Sequence, residues 1–124
     1  MIIGTGIDII ETSRISEKID KENGFREKVF SKHEIDFCEI KSDKAMHYAA
    51  RFAAKEAFLK AIGLGLTAGS ELHYIELFND ELGGPRIRLS GPFEQMAKDK
   101  NWLKIHVSLS HIQSIACAVV IIEG

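Results

Sequence analysis

The sequence predicts an α+β domain in which mainly antiparallel strands pack with one long helix and several short helices. Three observations lead to this prediction: an isoleucine-rich segment opens the chain, helical patterns fill its first half, and alternating strand patterns fill most of its second half. The 124 residues are 45% hydrophobic, which suffices for one buried core and excludes a disordered chain. No linker or repeat interrupts the sequence, so we expect a single domain over residues 1–124.

The first strand is predicted over residues 2–10, where isoleucine dominates. We expect this apolar strand to be buried, with Gly4 and Gly6 allowing another backbone or a ligand to come close. Asp8 interrupts the apolar residues, and a buried carboxylate without a partner is costly. Asp8 therefore either has a charged partner or a metal ion, or it lies near the strand end and caps neighbouring backbone.

Two short helices are predicted next. Ile15 and Ile19 are four residues apart and give the first helix a narrow apolar stripe. Ser31 and Glu34 have the spacing of a capping box, in which each side chain bonds the backbone of the other residue. They predict where the second helix begins.

The longest helix is predicted over residues 42–65, a segment rich in alanine and phenylalanine. Ser42 or Asp43 can cap its start, and Gly63 and Gly65 stop it.

The charged residues of this long helix allow two interpretations. Arg51 and Lys55 are one turn apart, as are Glu56 and Lys60. In the first interpretation they form a solvated stripe with one Glu–Lys pair worth about 0.3–0.5 kcal/mol. In the second, a carboxylate binds a metal ion and the flanking cations hold phosphates. The helix alone leaves both interpretations open.

The second half is predicted to consist mainly of strands. Alternating residues predict them at 71–78, 86–90, 103–110 and 114–122. The last two are joined by a short connection and should form a hairpin. Pro92, near a first turn, opens a short helix over residues 91–100.

The strand at 103–110 carries a polar face. His106, Ser108 and Ser110 alternate with Val107 and Leu109, so the two sets point to opposite faces. The polar face could bind phosphate or adenosine, or it could be an ordinary solvated surface. A Ser–His hydrolase is a weaker alternative, because no G-x-S-x-G segment is present.

Charge and cysteine content narrow the possible classes of protein. The net charge of −2 argues against bulk binding to nucleic acid or to an anionic membrane. Cys38 and Cys117 lack metal-binding spacing and are too few for a disulfide scaffold, so we expect a reduced, cytoplasmic compartment. The start of the chain lacks the basic region of a signal peptide, and no apolar run is long enough to cross a bilayer.

Four segments, taken in order, resemble the holo-[acyl-carrier-protein] synthases, a family of small bacterial 4′-phosphopantetheinyl transferases. The segments are GTGIDIIETSRI at 4–15, FREKVFSKHE at 25–34, RFAAKEAFLKAIGLG at 51–65, and HVSLSH at 106–111 followed by ACAVVII. The resemblance covers essentially the full length, and the helix motif is its most specific part.

The resemblance implies an enzyme that transfers the phosphopantetheine arm of coenzyme A to a serine of apo acyl carrier protein in fatty acid biosynthesis. The reaction would release 3′,5′-ADP and require Mg²⁺. Asp8 and Glu56 match the metal-binding carboxylates and, with Lys60, the catalytic group. The residues implied to contact coenzyme A are Arg51, Lys60, Gly63, His106 and Ser108.

The resemblance also implies a homotrimer that binds coenzyme A in clefts between protomers. Acyl carrier protein would dock on the first helix through Arg14, Lys18 and Lys21, although acidic residues lie among these cations and narrow the contact. Two other functions remain open: a module that binds coenzyme A or a carrier protein without turnover, and a Mg²⁺-dependent hydrolase of a pyrophosphate.

Overall fold

A computed structural model describes residues 1–64 and 71–124 of the chain. The elements in chain order are β1 (Ile2–Glu11), α1 (Thr12–Asp20), α2 (Phe25–Val29), α3 (Lys32–Glu39), α4 (Lys44–Ala61), β2 (Ile75–Asn79), β3 (Pro85–Leu89), α5 (Gly91–Asp99), β4 (Lys104–His111) and β5 (Ile115–Glu123). Helices accompany antiparallel strands, which confirms the α+β prediction. None of the helices in the described ranges is long and apolar enough to cross a membrane.

The main sheet has three antiparallel strands in the order β1-β5-β4, and β2 and β3 form a separate antiparallel pair. β5 therefore lies at the centre of the main sheet, with β1 and β4 at its edges. The predicted hairpin between β4 and β5 is confirmed and is closed by the bond from the Ile112 N–H to the Ile115 carbonyl. α4 packs on β1 and β5 across one face of this sheet.

α4 crosses β1 at two glycines. A Cβ atom at Gly6 would lie 1.9 Å from the carbonyl oxygen of Ala57, and one at Gly4 would lie 2.2 Å from that of Ala61. No real side chain fits at these distances, so only glycine allows the helix backbone to lie against the strand. The predicted close approach is therefore confirmed, and the approaching group is the backbone of α4.

The prediction that β1 is buried is correct for one face only. Gly6 is buried beneath α4, whereas Ile7 and Ile9 are 67% and 68% exposed on the opposite face. Successive side chains of a strand alternate between the two faces of a sheet, and α4 covers just one of them. The isoleucines of β1 therefore remain exposed on the outer face of the main sheet.

α4 is shorter than the predicted 42–65. Asp43 occupies its N-cap but makes no capping bond, and its Oδ1 atom lies 3.1 Å from Nε2 of His47 instead. Gly63 follows the helix with a φ of +83°, the left-handed conformation that commonly ends helices. The second predicted stop residue, Gly65, lies outside the described residues.

Residues 71–78 do not form the continuous strand that their alternation predicts. Residues 71–74 form a 3₁₀ turn, and β2 begins at Ile75. The physical reason lies in α4, where the ammonium group of Lys55 donates to the carbonyl of Leu72 at 3.0 Å and to the carbonyl of Ile75. The Leu72 carbonyl thus accepts from a side chain and is not free to extend a strand ladder, whereas the Ile75 carbonyl belongs to the first residue of β2.

Glu34 has a larger role than the predicted capping box. The box is present, because the Ser31 hydroxyl accepts from the Glu34 N–H and Glu34 Oε1 accepts from the Ser31 N–H. Glu34 is also fully buried, with Oε1 2.8 Å from Lys55 Nζ and Oε2 2.8 Å from the Leu77 nitrogen. A buried ion pair therefore joins α3, α4 and β2.

The solvated-stripe interpretation of α4 is wrong. Lys55 has no exposed surface, and Arg51 and Glu56 are each 4% exposed. Burial lowers the pKa of Lys55, while the adjacent Glu34 carboxylate acts to raise it. Because Lys55 is buried among Glu34 and two carbonyl groups, the interpretation that all the cations of this helix are ligand contacts is also wrong for Lys55.

Replacing Gly6 by alanine should destabilise the protein by about 1–3 kcal/mol, because the added methyl group would push α4 away from β1. Urea unfolding measures the loss. Thr5→Ala, on the exposed outer face of the same strand, is the matched control and should change the free energy of unfolding by less than about 0.5 kcal/mol. Equal values for the two variants would contradict the close backbone contact.

Candidate functional site

Asp8 and Lys60 form the centre of the candidate site. Asp8 lies on β1, on the face that α4 covers, and its side chain is 15% exposed. Lys60 Nζ lies 3.1 Å from Asp8 Oδ1 and 3.0 Å from the carbonyl oxygen of Ile7. The lysine therefore pairs with the strand rather than with Glu56, one turn before it on α4.

Glu56 lies near this pair with one carboxylate oxygen unsatisfied. Its Oε2 atom is buried and has no hydrogen-bond partner. Burial raises the pKa of Glu56, the charge of Asp8 raises it further, and Lys60 and Lys18 act in the opposite direction. The carboxylates of Asp8 and Glu56 thus lie in one region, where the ionised form of Glu56 is disfavoured.

This set of oxygen atoms suits a hard divalent cation. Mg²⁺ is usually held by one or two carboxylates and completes its coordination with waters and substrate phosphates. Among residues 1–64 and 71–124 there is no group of three His, Cys, Asp or Glu side chains that could hold a metal ion by itself. The unsatisfied oxygen of Glu56, in the field of Asp8, fits a Mg²⁺ ion that takes its other ligands from water and substrate.

A cleft of about 450 Å³ opens beside Lys60. It is lined by Thr5, Gly6, Ile7 and Val119 as well as by Lys60. A phosphorylated ligand in this cleft could reach the lysine without displacing any core residue.

Two of the residues implied to contact coenzyme A lie apart from the Asp8–Lys60 pair: Arg51 on α4 and Gly63 just after it. Arg51 is buried, with its guanidinium carbon 4.1 Å from the ring centre of Phe37 and one nitrogen 3.5 Å from Asn79 Oδ1. Its Nε atom has no partner, and burial lowers its pKa. Gly63 lies three residues beyond Lys60, just past the end of the helix.

His106 and Ser108 lie on β4, at the opposite edge of the main sheet from Asp8. Both are exposed on the outer face, and His106 Nε2 lies 2.5 Å from Glu123 Oε1. Two strand spacings, about 10 Å, and the thickness of the sheet separate them from the Asp8 group. Within one chain, the structure brings Asp8, Glu56 and Lys60 together and leaves the His106 strand apart.

The three cations predicted to contact a carrier protein are exposed on α1 and just after it. Lys18 lies over the ring of Phe25, with Nζ 5.4 Å from the ring centre, and its charge also lowers the pKa of Glu56. The basic side of α1, formed by Arg14, Lys18 and Lys21, is therefore electrostatically connected to Glu56 through Lys18.

The sequence analysis also missed the pairing of Lys55 with Glu34. The two residues are 21 positions apart and belong to different helices, so no local spacing reveals their contact. The available signal was a lysine close to several alanines in a helix that also contains phenylalanine and leucine.

Comparison with known proteins identifies the family. The sequence pattern of the 4′-phosphopantetheinyl transferase superfamily matches residues 4–120 of the chain. The chain therefore belongs to this superfamily. It is 48% identical to the holo-[acyl-carrier-protein] synthase of Geobacter metallireducens over 124 residues, which cover 99% of this chain and 98% of the relative.

Solved structures of similar proteins have the same fold. The holo-[acyl-carrier-protein] synthase of Neisseria meningitidis superposes with a TM-score of 0.89 at 27% identity, covering all of both chains. The synthase of Bacillus anthracis, solved in complex with coenzyme A (3′,5′-ADP), superposes with a TM-score of 0.79 at 35% identity and covers 98% of this chain and 96% of its own. The family predicted from the motifs is confirmed, as is the prediction that the protein is an enzyme.

Replacing Glu56 by glutamine should stabilise the free protein at pH 7. Because folding raises the pKa of Glu56, its ionised form destabilises the fold at pH values above the unfolded pKa of 4.5. The gain should be present at pH 7 and disappear as the pH falls below that value, where the carboxyl group is protonated in both states.

Thermal unfolding of Glu56→Gln at neutral and acidic pH measures this effect. The exposed Glu17→Gln of α1 is the control and should not show the same gain. A Glu56→Gln variant no more stable than the native protein at pH 7 would contradict the described environment of Glu56.

Proposed function

We propose that the protein transfers the 4′-phosphopantetheine group of coenzyme A to a serine of an apo acyl carrier protein and releases 3′,5′-ADP. The observation that carries this proposal is the unsatisfied, buried Oε2 of Glu56 beside the Asp8–Lys60 pair and an open cleft. Membership of the transferase superfamily supports the reaction class. Transfer of a phosphoryl group depends mainly on alignment and on charge neutralisation, and this group of residues can supply both.

The proposed reaction is a displacement at phosphorus. The serine oxygen bonds to the phosphorus that bears pantetheine, the bond from that phosphorus to the bridging oxygen breaks, and 3′,5′-ADP leaves with the bonding electrons. Asp8 and Glu56 would hold a Mg²⁺ ion, which when bound offsets the charge of the pyrophosphate and of the leaving group. Lys60, reachable from the cleft, donates to a phosphate oxygen as a compact positive charge.

Glu56 is also the proposed acceptor of the serine proton. Burial and the charge of Asp8 raise its pKa when no cation is bound, whereas a cation held by the same carboxylate would lower it, so we propose that the proton passes to Glu56 or to a water that it orients. Asp8 is less suited to this step, because its Oδ1 atom already accepts a hydrogen bond from Lys60.

We further propose a homotrimer assembled through the outer face of the main sheet. Ile7 and Ile9 of β1 and Ile115 of β5 leave an apolar surface exposed there, and surfaces of this kind mark contacts between proteins. The number of protomers follows from the family resemblance. His106 and Ser108 lie on the same face, so they would serve the site of a neighbouring protomer. There, together with Arg51 and Gly63, they would contact the 3′-phosphate and adenine end of coenzyme A.

The proposed docking surface for acyl carrier protein is the basic side of α1. Lys18 on this side lies near enough to Glu56 to lower its pKa, so an acidic carrier bound there would bring its serine toward the carboxylates. We propose that this carrier belongs to fatty acid biosynthesis and that the reaction takes place in the cytoplasm, in keeping with two free cysteines.

Incubation with coenzyme A, Mg²⁺ and a bacterial apo acyl carrier protein should add one phosphopantetheine group to the carrier, and a chelator should prevent the gain. Intact-mass spectrometry measures it. Asp8→Ala and Glu56→Ala should each reduce the rate by at least about 100-fold, whereas Glu94→Ala, an exposed carboxylate on α5, should not.

Two other results of this assay would each contradict the proposal. Binding of coenzyme A with no mass gain on several carriers would indicate a non-catalytic module. Cleavage of coenzyme A in the absence of any carrier would indicate a pyrophosphate hydrolase.

Replacing Val119 by glutamate should convert the assembly to single chains, because the charge would lie at the centre of the outer face, opposite Ile7 and Ser108. Light scattering should give three times the chain mass for the native protein and one chain mass for the variant. Leu82→Glu, in the exposed turn between β2 and β3, is the control and should leave the mass unchanged. A native protein that is monomeric would rule out the trimer.

A further inference from the structure

The buried Glu34–Lys55 pair is connected to the candidate site through α4, which carries both Lys55 and Glu56. Lys55 and Glu56 are consecutive in α4, so their side chains leave the helix about 100° apart. Lys55 points toward α3 and β2, while Glu56 lies in the field of Asp8 on β1. Any rotation of α4 about its own axis would therefore move both side chains together.

The bonds of Lys55 are directional and are themselves firmly held. Its ammonium group donates to Glu34 Oε1 at 2.8 Å, to the Leu72 carbonyl at 3.0 Å and to the Ile75 carbonyl. Glu34 is fixed in turn by two backbone N–H groups, those of Ser31 and Leu77, each 2.8 Å away. The three donors of the lysine thus have three fixed acceptors on other elements.

The remaining buried surface of α4 combines a few large side chains, Tyr48, Phe58 and Leu59, with many small ones. Much of that surface is alanine, at positions 49, 50, 53, 54 and 57. Small side chains permit the close contact with β1 but interlock weakly with their neighbours, and apolar contacts have no preferred direction. Lys55 makes three directional bonds within this stretch, more than Tyr48, which donates to Glu39 at 2.7 Å, or Arg51, which donates to Asn79 at 3.5 Å.

We propose that the Glu34–Lys55 pair is a positioning element that sets the rotation of α4 so that Glu56 and Lys60 face Asp8. Lys55 touches no reacting group in this arrangement and acts only through the helix. This proposal rests on the proposed function, because it takes Asp8 and Glu56 as the carboxylates that hold the divalent cation.

The test uses the double variant Glu34→Gln/Lys55→Met in the full chain. It removes both charges, so no uncompensated buried charge remains, whereas Lys55→Met alone leaves one behind. The urea midpoint of the double variant should exceed that of Lys55→Met. The second readout is the affinity for Mn²⁺, titrated by calorimetry into protein saturated with coenzyme A and without any carrier, so that no turnover is involved.

Loss of the positioning element should weaken Mn²⁺ binding by the double variant about tenfold or more, as expected when a residue that orients a metal ligand is removed. Phe93→Leu is the matched control, since it loosens the contact of α5 with Phe58 of α4 but keeps the Glu34–Lys55 pair. It should lower the urea midpoint and leave the Mn²⁺ affinity unchanged.

A double variant that unfolds cooperatively and binds Mn²⁺ as tightly as the native protein would overturn the positioning role. The proposed cation site itself would then stand, because the native protein binds the ion. If the native protein binds no Mn²⁺ in the presence of coenzyme A, the cation site fails and this proposal fails with it.

Discussion

α4 lies against β1 with its backbone closer to the strand than any side chain at Gly4 or Gly6 would allow. This contact determines where the chemistry can occur. Asp8 follows Gly6 by two residues and Lys60 precedes Ala61 by one, so both are carried to the contact by the backbones that meet there. A larger side chain between the two backbones would separate the carboxylate of the strand from the groups of the helix.

Two consecutive buried charges of α4 differ in whether their hydrogen bonds are satisfied. Lys55 has three acceptors, while Glu56 keeps an oxygen without a partner. The bonds of Lys55 fix the position of its side chain. A bound cation would satisfy the unpaired oxygen of Glu56. Two consecutive residues of one helix are thus a lysine whose hydrogen bonds are all made and a glutamate with an unpaired oxygen. Such a combination is found where ligands bind.

Local signals in the sequence were reliable guides to the fold, and long-range contacts were not visible in it. The Ser31–Glu34 capping box and the hairpin of β4 and β5 depend on neighbouring residues and were predicted, and the glycine at position 6 predicted a close approach although its partner, Ala57, is distant in the chain. The pairing of Lys55 with Glu34 depends on how three elements meet, and the same contact makes β2 begin later than its alternation suggests. The order of the motifs identified the family and grouped Asp8 with Glu56 and Lys60, whereas the salt bridge between Asp8 and Lys60 follows only from the packing of α4 on β1.

Lys60 also covers a backbone acceptor of β1, an edge strand of the main sheet. β1 is an edge strand with exposed isoleucines, and such edges invite pairing with strands of other chains. By donating to the Ile7 carbonyl, Lys60 places an ammonium group over a backbone acceptor that an incoming strand would need. An incoming strand would have to displace this ammonium group, and a phosphate ligand would compete for the same contact.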